Sequence, residues 1–275
     1  MSKRLRYKTP TGFLLNTHFL DVQKSHKSQK ALLNLLADRL PTHFGIQFDD
    51  CGKESKKNVI YLDDILATGK TTFRELTNFL SQESNGKAFY KYFLEDKARL
   101  MVCFLGMHTW GRDNVKYQIR KTFSDLLEKK IIFETNYLIE NNPLAYNDQL
   151  NCAYPIDDQN PMVQDYLDQI EGTRYEQFAY RKPNRPRSEQ FFSSPANRNR
   201  FERILLEKGI GLLQKVKKLK VKEIRTLGYT VKSHKTFGLG TLFFTWRNIP
   251  NNCPLVFWWE ASNWYPLFKV KNRGK

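Results

Sequence analysis

Two adjacent carboxylates, Asp63 and Asp64, close an apolar run and are followed by Ala67 and a Thr68-Gly69-Lys70-Thr71-Thr72 turn. A carboxylate pair accepts hydrogen bonds from a vicinal diol, directly or through the water of a magnesium ion. A glycine-containing turn that opens a helix offers backbone N–H groups, Thr hydroxyls and the positive end of a helix dipole to a phosphate. Diol binders followed by a monophosphate cradle describe a ribose 5-phosphate. An ATPase reading fails on spacing. A P-loop needs glycine five positions before Gly69, and Asp64 stands there, where it would turn a carboxylate toward the phosphates. The other Gly-Lys pairs, at 52, 86 and 274, lack that glycine too. "VIYLDD" as a magnesium-holding strand of an ATPase would then have no nucleotide loop to serve. A buried strand and capped helix without a ligand is the plain alternative, but it leaves two acids in an apolar setting.

The elements around the motif must deliver it to one edge of a sheet. "VIYLDDIL" reads as a strand and "TTFRELTNFLSQ" as a helix with Phe73, Leu76 and Leu80 on one face. Upstream, "TGFLLNTHFL" is expected as an early strand, and "SQKALLNLLADRL" as a helix capped by Ser28 and ended by Pro41. "HFGIQF" is expected as a short strand, and "ARLMVCFLGM" as a buried one. This alternation predicts an α/β fold with a parallel sheet, whose ligands bind at the carboxyl ends of the strands. The character changes near residue 140, so a core over 1–140 and an extension over 141–275 are expected. In the extension, residues 197–219 are expected as an amphipathic helix with Phe201, Ile204, Leu205, Leu212, Leu213, Val216 and Leu219 near one face. Lys215, Lys217, Lys218 and Lys220 suit its C-terminus. The final aromatic segment, "FGLGTLFFTWRNIPNNCPLVFWWEASNWYPLF", reads as strand-like.

"VIYLDDILATGKTT", fourteen residues, resembles the phosphoribosyl-pyrophosphate motif of type I phosphoribosyltransferases. The resemblance implies that Asp63 and Asp64 bind the ribose hydroxyls and magnesium and act as the catalytic acids. It implies that Ala67 to Thr72 hold the 5-phosphate. Lys70 replaces the more common second glycine, as in the hypoxanthine-guanine branch. That branch has an Asp where this chain has Ala67, which argues against 6-oxopurine salvage. A pyrophosphate loop is expected over "DVQKSHKS", with Lys24, His26 and Lys27 meeting the charge. The loop closing over the substrate would be the short "CGKESKKN". His108, after the next strand, is a further candidate at the ligand edge, with an ordinary structural role as the alternative. "GLGT" and "GIGLLQ" lack the final glycine of a dinucleotide fingerprint.

Arg247, Asn248, Asn251 and Asn252 form a Pro-bounded polar cluster in an apolar segment and need partners. Arg247 and Asn248 count as candidate substrate contacts. With "LDDILATGKT" and "SQKALLNLL", this ending resembles the phosphoribosyltransferase-like effectors of bacterial conflict systems, which sit beside reverse transcriptases in retrons. What that implies is an antiphage effector restrained by a reverse transcriptase with its RNA–DNA hybrid. The net charge of +17 over 275 residues independently favours a polyanionic partner. An enzyme acting at the anomeric carbon of phosphoribosyl pyrophosphate or a related ribose 5-phosphate is one reading. A non-catalytic, nucleic-acid-associated sensor of a phosphoribosyl nucleotide is the other. No apolar run nears the roughly 18 residues of a membrane span. Four scattered cysteines without a Cys-x-x-Cys pair read as reduced thiols of a cytoplasmic chain. The composition leaves room for an oligomer.

Overall fold

The computed structural model describes residues 7–25, 27–141, 149–174, 176–216, 222–246 and 249–268. They form two compact units: Met1–Met107 with Gly111–Leu138, and His108–Trp110 with Ile139–Lys275.

The first unit opens with α1 (Pro10–Leu15) and β1 (Thr17–Phe19), followed by α2 (Ser28–Phe44) and β2 (Asn58–Leu66). Next come α3 (Lys70–Ser81), the hairpin β3 (Glu83–Ser84) and β4 (Lys87–Ala88), and α4 (Phe89–Leu94). β5 (Arg99–His108), α5 (Thr109–Thr122), α6 (Asp125–Lys130) and β6 (Ile132–Ile139) complete the series. The sheet order is β1-β2-β5-β6, with β1, β2 and β5 parallel. The expected α/β class with a parallel sheet is therefore what the chain adopts. The strand pleat sorts side chains onto two faces. Val59, Tyr61, Leu100 and Val102 meet Leu76 and Leu80 of α3 and Val115 and Ile119 of α5. Ile60 and Met101 point the other way, toward Leu40 of α2.

Several expectations are corrected. Residues 11–20 are not one strand, because Thr9 caps a helix whose first residue is Pro10; the Gly12 N–H donates to Thr9 Oγ1 at 3.0 Å. Pro41 does not end α2, since it lies in the last turn, where a missing N–H costs one bond; the helix runs on to Phe44 and Gly45 caps it. "HFGIQF" forms no strand: it spans that cap and leads into a 3₁₀ turn at Phe48–Asp50 boxed by Gln47 and Asp50. The β3–β4 hairpin, signalled by Asn85-Gly86 with φ of 53° and 70°, was a readable turn.

The second unit contains α7 (Pro161–Gln169), α8 (Pro195–Gln214) and a small hairpin, β7 (Ile224–Arg225) and β8 (Gly228–Tyr229). α8 buries Leu205, Leu206, Ile210 and Leu212, whereas Ile204 is 45% exposed, contrary to the expected face. Leu219, Lys217, Lys218 and Lys220 lie outside the described residues. The aromatic C-terminal segment is not a strand region. Among its described residues there is one isolated bridge, Ala261 with Trp264, and a 3₁₀ turn at Leu255–Phe257. Pro250, Pro254 and Pro266 remove ladder donors there, so Trp258 is placed by burial and by its indole N–H to Cys253 O, 2.9 Å, rather than by strand alternation.

Candidate functional site

Because β1, β2 and β5 run parallel, the segments leaving their carboxyl ends fall along one sheet edge. Asp63 and Asp64 lie in the last turns of β2's pleat, and that pleat parts them. Asp63 follows Tyr61 onto the α3 face, and Asp64 follows Leu62 onto the opposite one. Asp63 is buried, 6% exposed. Its Oδ1 accepts from Ser28 Oγ at 2.5 Å and from the Asp64 N–H at 2.9 Å. Its Oδ2 accepts from Gln23 Nε2 at 2.6 Å and lies 3.2 Å from the Tyr61 hydroxyl oxygen. Glu75, one turn into α3, joins the same cluster by accepting from Tyr61 OH at 2.6 Å and Gln23 Nε2 at 3.0 Å. Burial, then the charge of Asp63, pushes the Tyr61 phenol far above its ordinary range, so it is a proton donor here at any ordinary pH. Asp64 is half-buried, and its Oδ1 accepts the Ile65 N–H at 2.8 Å.

The turn after β2 is fixed by α5. Gly69 adopts φ 79° and forms the N-cap of α3, a conformation that favours glycine. A Cβ on Gly69 would lie 2.5 Å from Val115 Cγ2, and one on Gly111 would lie 1.8 Å from Ala67 O. The two glycines therefore let the turn and the first turn of α5 touch backbone to backbone. Asn114 Nδ2 donates to Thr68 O at 2.8 Å and holds the turn from the same side. The first N–H groups of α3 have no intrahelical partner, and no acid occupies its first turn. Lys70 and Thr71 are exposed there, Ala67 and Thr68 are half-buried, and Thr72 is buried. The arrangement is a helix start free of acids beside a carboxylate, a geometry suited to an anion.

Lys24 and Lys27 are exposed on the segment between β1 and α2, whose Gln23 and Ser28 reach Asp63. Contrary to expectation, Ser28 does not cap α2; Lys27 holds the cap position and the Ser28 hydroxyl goes to Asp63 instead. His26, Arg247 and Asn248 lie outside the described residues. The expected closing loop is misplaced. Residues 51–57 lead into Asn58 at the amino end of β2, about 20 Å of strand from Asp64. They are tied down there by Gly52 N–H to Leu14 O at 3.2 Å and Glu54 N–H to Leu15 O at 3.1 Å. His108 is wholly buried in the second unit, its Nε2 paired with Thr241 Oγ1 at 2.8 Å, so its role is structural. Of the other two polar candidates, Asn252 is buried and Asn251 gives its carbonyl to the Tyr229 N–H.

Gln23, Ser28, Tyr61, Glu75, Gly111 and Asn114 are the residues that sequence reasoning missed. The two-residue step from Tyr61 to Asp63 was a readable signal, since it puts both on one face. Among the described residues no three His, Cys, Asp or Glu side chains converge on a metal position. The donor set fits a magnesium ion that arrives on a diphosphate and keeps most of its water, with one carboxylate on the protein side. Burial lifts the Cys103 and Cys152 thiols to about 12, which removes both as neutral-pH nucleophiles.

Sheet, carboxylates and acid-free helix start together define a phosphoribosyltransferase-like α/β core. The PRTase-CE family model matches residues 1–270, and the chain belongs to that family. Among solved structures, the AQ2163 protein from Aquifex aeolicus is similar over 30% of this chain and 29% of its own, at 18% identity and a TM-score of 0.19. No curated protein matches the chain. Among the described residues no helix is long and apolar enough to cross a membrane.

Proposed function

We propose that this protein binds phosphoribosyl pyrophosphate, or a related ribose 5-phosphate donor, and transfers or hydrolyses at its anomeric carbon. The observation that carries the reading is the unbroken series of β2 carboxylates, glycine turn and acid-free helix start, braced by Gly111 and Asn114. The 5-phosphate rests on the N–H groups of residues 68–72, with the Thr68 and Thr71 hydroxyls and Lys70 beside them. The half-buried Asp64 meets the sugar hydroxyls. Lys24 and Lys27 face the diphosphate and stabilise its charge as the C1–O bond breaks and the leaving group departs with the bonding electrons. Magnesium, when bound, supplies further charge neutralisation at the diphosphate, and Asp64 would hold it from the protein side. The attacking electron pair comes from water or an acceptor.

The resemblance to conflict-system effectors extends the reading to an antiphage, retron-type effector in the cytoplasm, restrained by a reverse transcriptase with its RNA–DNA hybrid. The +17 charge supports a polyanionic partner. Copurification with a reverse transcriptase at low salt, lost on nuclease treatment and weakened as salt is raised, supports this part, and its absence at low salt refutes it.

A second reading, a non-catalytic phosphoribosyl sensor, is favoured by one observation. The short 51–57 loop sits at the far end of β2, and Ala67 offers no base, so neither water exclusion nor proton transfer has an evident agent. Turnover separates the two. Purified protein is incubated with phosphoribosyl pyrophosphate and magnesium, with and without acceptors, and pyrophosphate release is followed beside calorimetric binding. Release that Asp64→Asn abolishes supports the enzyme. Binding without release supports the sensor, and absence of binding refutes both.

A further inference from the structure

We infer that the two acids of β2 have separate duties: Asp64 meets the ligand, while Asp63 is a positioning residue that fastens the Lys24–Lys27 segment to the ribose-binding strand. The inference rests on the phosphoribosyl reading above and divides its site. An ionised carboxylate has about four acceptor positions. At Asp63 three are met from within the chain, by Ser28, the Asp64 N–H and Gln23, at 2.5 to 2.9 Å, and the fourth is covered by the Tyr61 oxygen 3.2 Å away, whose one proton lies nearer Glu75. A sugar hydroxyl or a metal-bound water could reach it only by displacing one of these donors. Leaving a buried donor without its acceptor is costly.

Two of the donors, Gln23 and Ser28, belong to the segment carrying Lys24 and Lys27. That segment is already closed on itself. The N–H groups of Val22 and Gln23 donate to Gln29 Oε1 at 2.8 and 3.0 Å, and Lys27 N–H donates to Lys24 O at 2.9 Å. Gln29 is wholly buried, which fixes the closure to the start of α2. Asp63 is where this preformed loop is fastened to β2, and Tyr61 and Glu75 hold Gln23 from the other side. The diphosphate-facing lysines are thereby placed in register with the strand that carries Asp64. Asp63 would act on the diphosphate without touching it.

The test compares ligands that share the sugar phosphate and differ in the diphosphate. Calorimetric affinities for ribose 5-phosphate and for phosphoribosyl pyrophosphate with magnesium are measured for the full chain and for Asp64→Asn, Asp63→Asn, Ser28→Ala and Ser28→Thr. Asp64→Asn is expected to weaken both ligands at least tenfold. Asp63→Asn and Ser28→Ala are expected to weaken phosphoribosyl pyrophosphate at least tenfold while changing ribose 5-phosphate less than twofold, with Ser28→Thr restoring the loss. Ser28→Ala keeps the carboxylate and serves if Asp63→Asn does not fold. Equal loss of ribose 5-phosphate in Asp63→Asn and Asp64→Asn overturns the division of duties, as does an unchanged diphosphate affinity in Ser28→Ala. If the unaltered protein binds neither ligand, the phosphoribosyl reading fails and the anchoring is read by amide hydrogen exchange over residues 22–30. Faster exchange in Ser28→Ala but not in Asp64→Asn sustains the anchor, and any other pattern overturns it.

Discussion

Each unit of this protein buries a cluster of two carboxylates, and the two clusters are satisfied in opposite ways. In the second unit, Glu189 and Glu202 share Arg198, at 2.5 Å from Nε and 3.2 Å from Nη1, and Glu202 also meets Arg181 at 3.2 Å. The Arg198 guanidinium lies 4.5 Å from the Phe192 ring centroid and donates a further bond to Cys152 O at 3.2 Å. Two negative charges face two positive ones. In the first unit, Asp63 and Glu75 meet an amide, a hydroxyl and a phenol. Among the described residues the one cation paired with them is Arg74, 3.3 Å from Glu75 Oε1, with a side chain 65% exposed. Neutral donors meet these carboxylates, and among the described residues their charge is not cancelled. Satisfying lone pairs and neutralising charge are separate demands, and burial makes the second one expensive. A cluster that cancels its charge is complete as a piece of architecture. One that does not cancel it, next to a helix start suited to anions, is where positive charge carried by a ligand has most to gain.

The largest expected effect comes from breaking the cancelled cluster. Arg198→Met leaves Glu189 and Glu202 buried with one arginine between them and should cost about 3–5 kcal/mol. All five tryptophans lie in the second unit, so urea unfolding followed by tryptophan fluorescence reads that unit alone. A loss under about 1 kcal/mol would mean that the carboxylates find other partners, and the contrast between the units would collapse.

The uncancelled site depends on contact rather than charge balance, and Gly111 tests that. Alanine there puts a methyl 1.8 Å from Ala67 O and 2.6 Å from Leu66 Cδ2. Overpacking of this kind costs about 1–3 kcal/mol, here by displacing the turn that should hold the phosphate. Ribose 5-phosphate affinity is expected to fall at least tenfold while the tryptophan-reported unfolding of the second unit stays unchanged. Unaltered affinity would separate the turn from the ligand.

What was legible in the sequence follows the range of each signal. β2, α3 and β5 were readable because apolar spacing and a local motif specify them within a dozen residues. The glycine turn that opens α3 was readable for the same reason. The partners of Asp63 were not, since Gln23 and Ser28 lie 40 and 35 positions away in the chain and are ordinary polar residues by type. Gly111 likewise looks like any helix-start glycine until Ala67 O is placed beside it. The opposite facing of Asp63 and Asp64 was available from strand period alone. The final aromatic segment misled because Trp and Phe favour strands by composition, whereas three prolines decide against a ladder there.

The smallest effect is read with protons. The second unit's wholly buried histidine should resist protonation, since its bonded partner Thr241 is neutral, and burial does hold His108 down to about 4. Unfolded histidine titrates near 6.5. The folded state thus keeps His108 neutral while the unfolded chain takes up a proton below that value. Stability from this group is complete above about pH 6.5 and is lost as pH falls toward 4, amounting to about 1.4 kcal/mol by pH 5.5. His234, lowered by burial and by the Arg174 charge, adds a contribution of the same sign, so wild-type acid sensitivity alone does not isolate His108. His108→Gln does, because the glutamine amide reaches the Nε2 position and can still bond Thr241 Oγ1 but does not titrate. Urea unfolding between pH 7.5 and 5.5 should show a shallower loss in the variant than in the parent. Parallel profiles would mean that His108 accepts its proton in the folded state, and that this unit tolerates a buried charge without a carboxylate to cancel it.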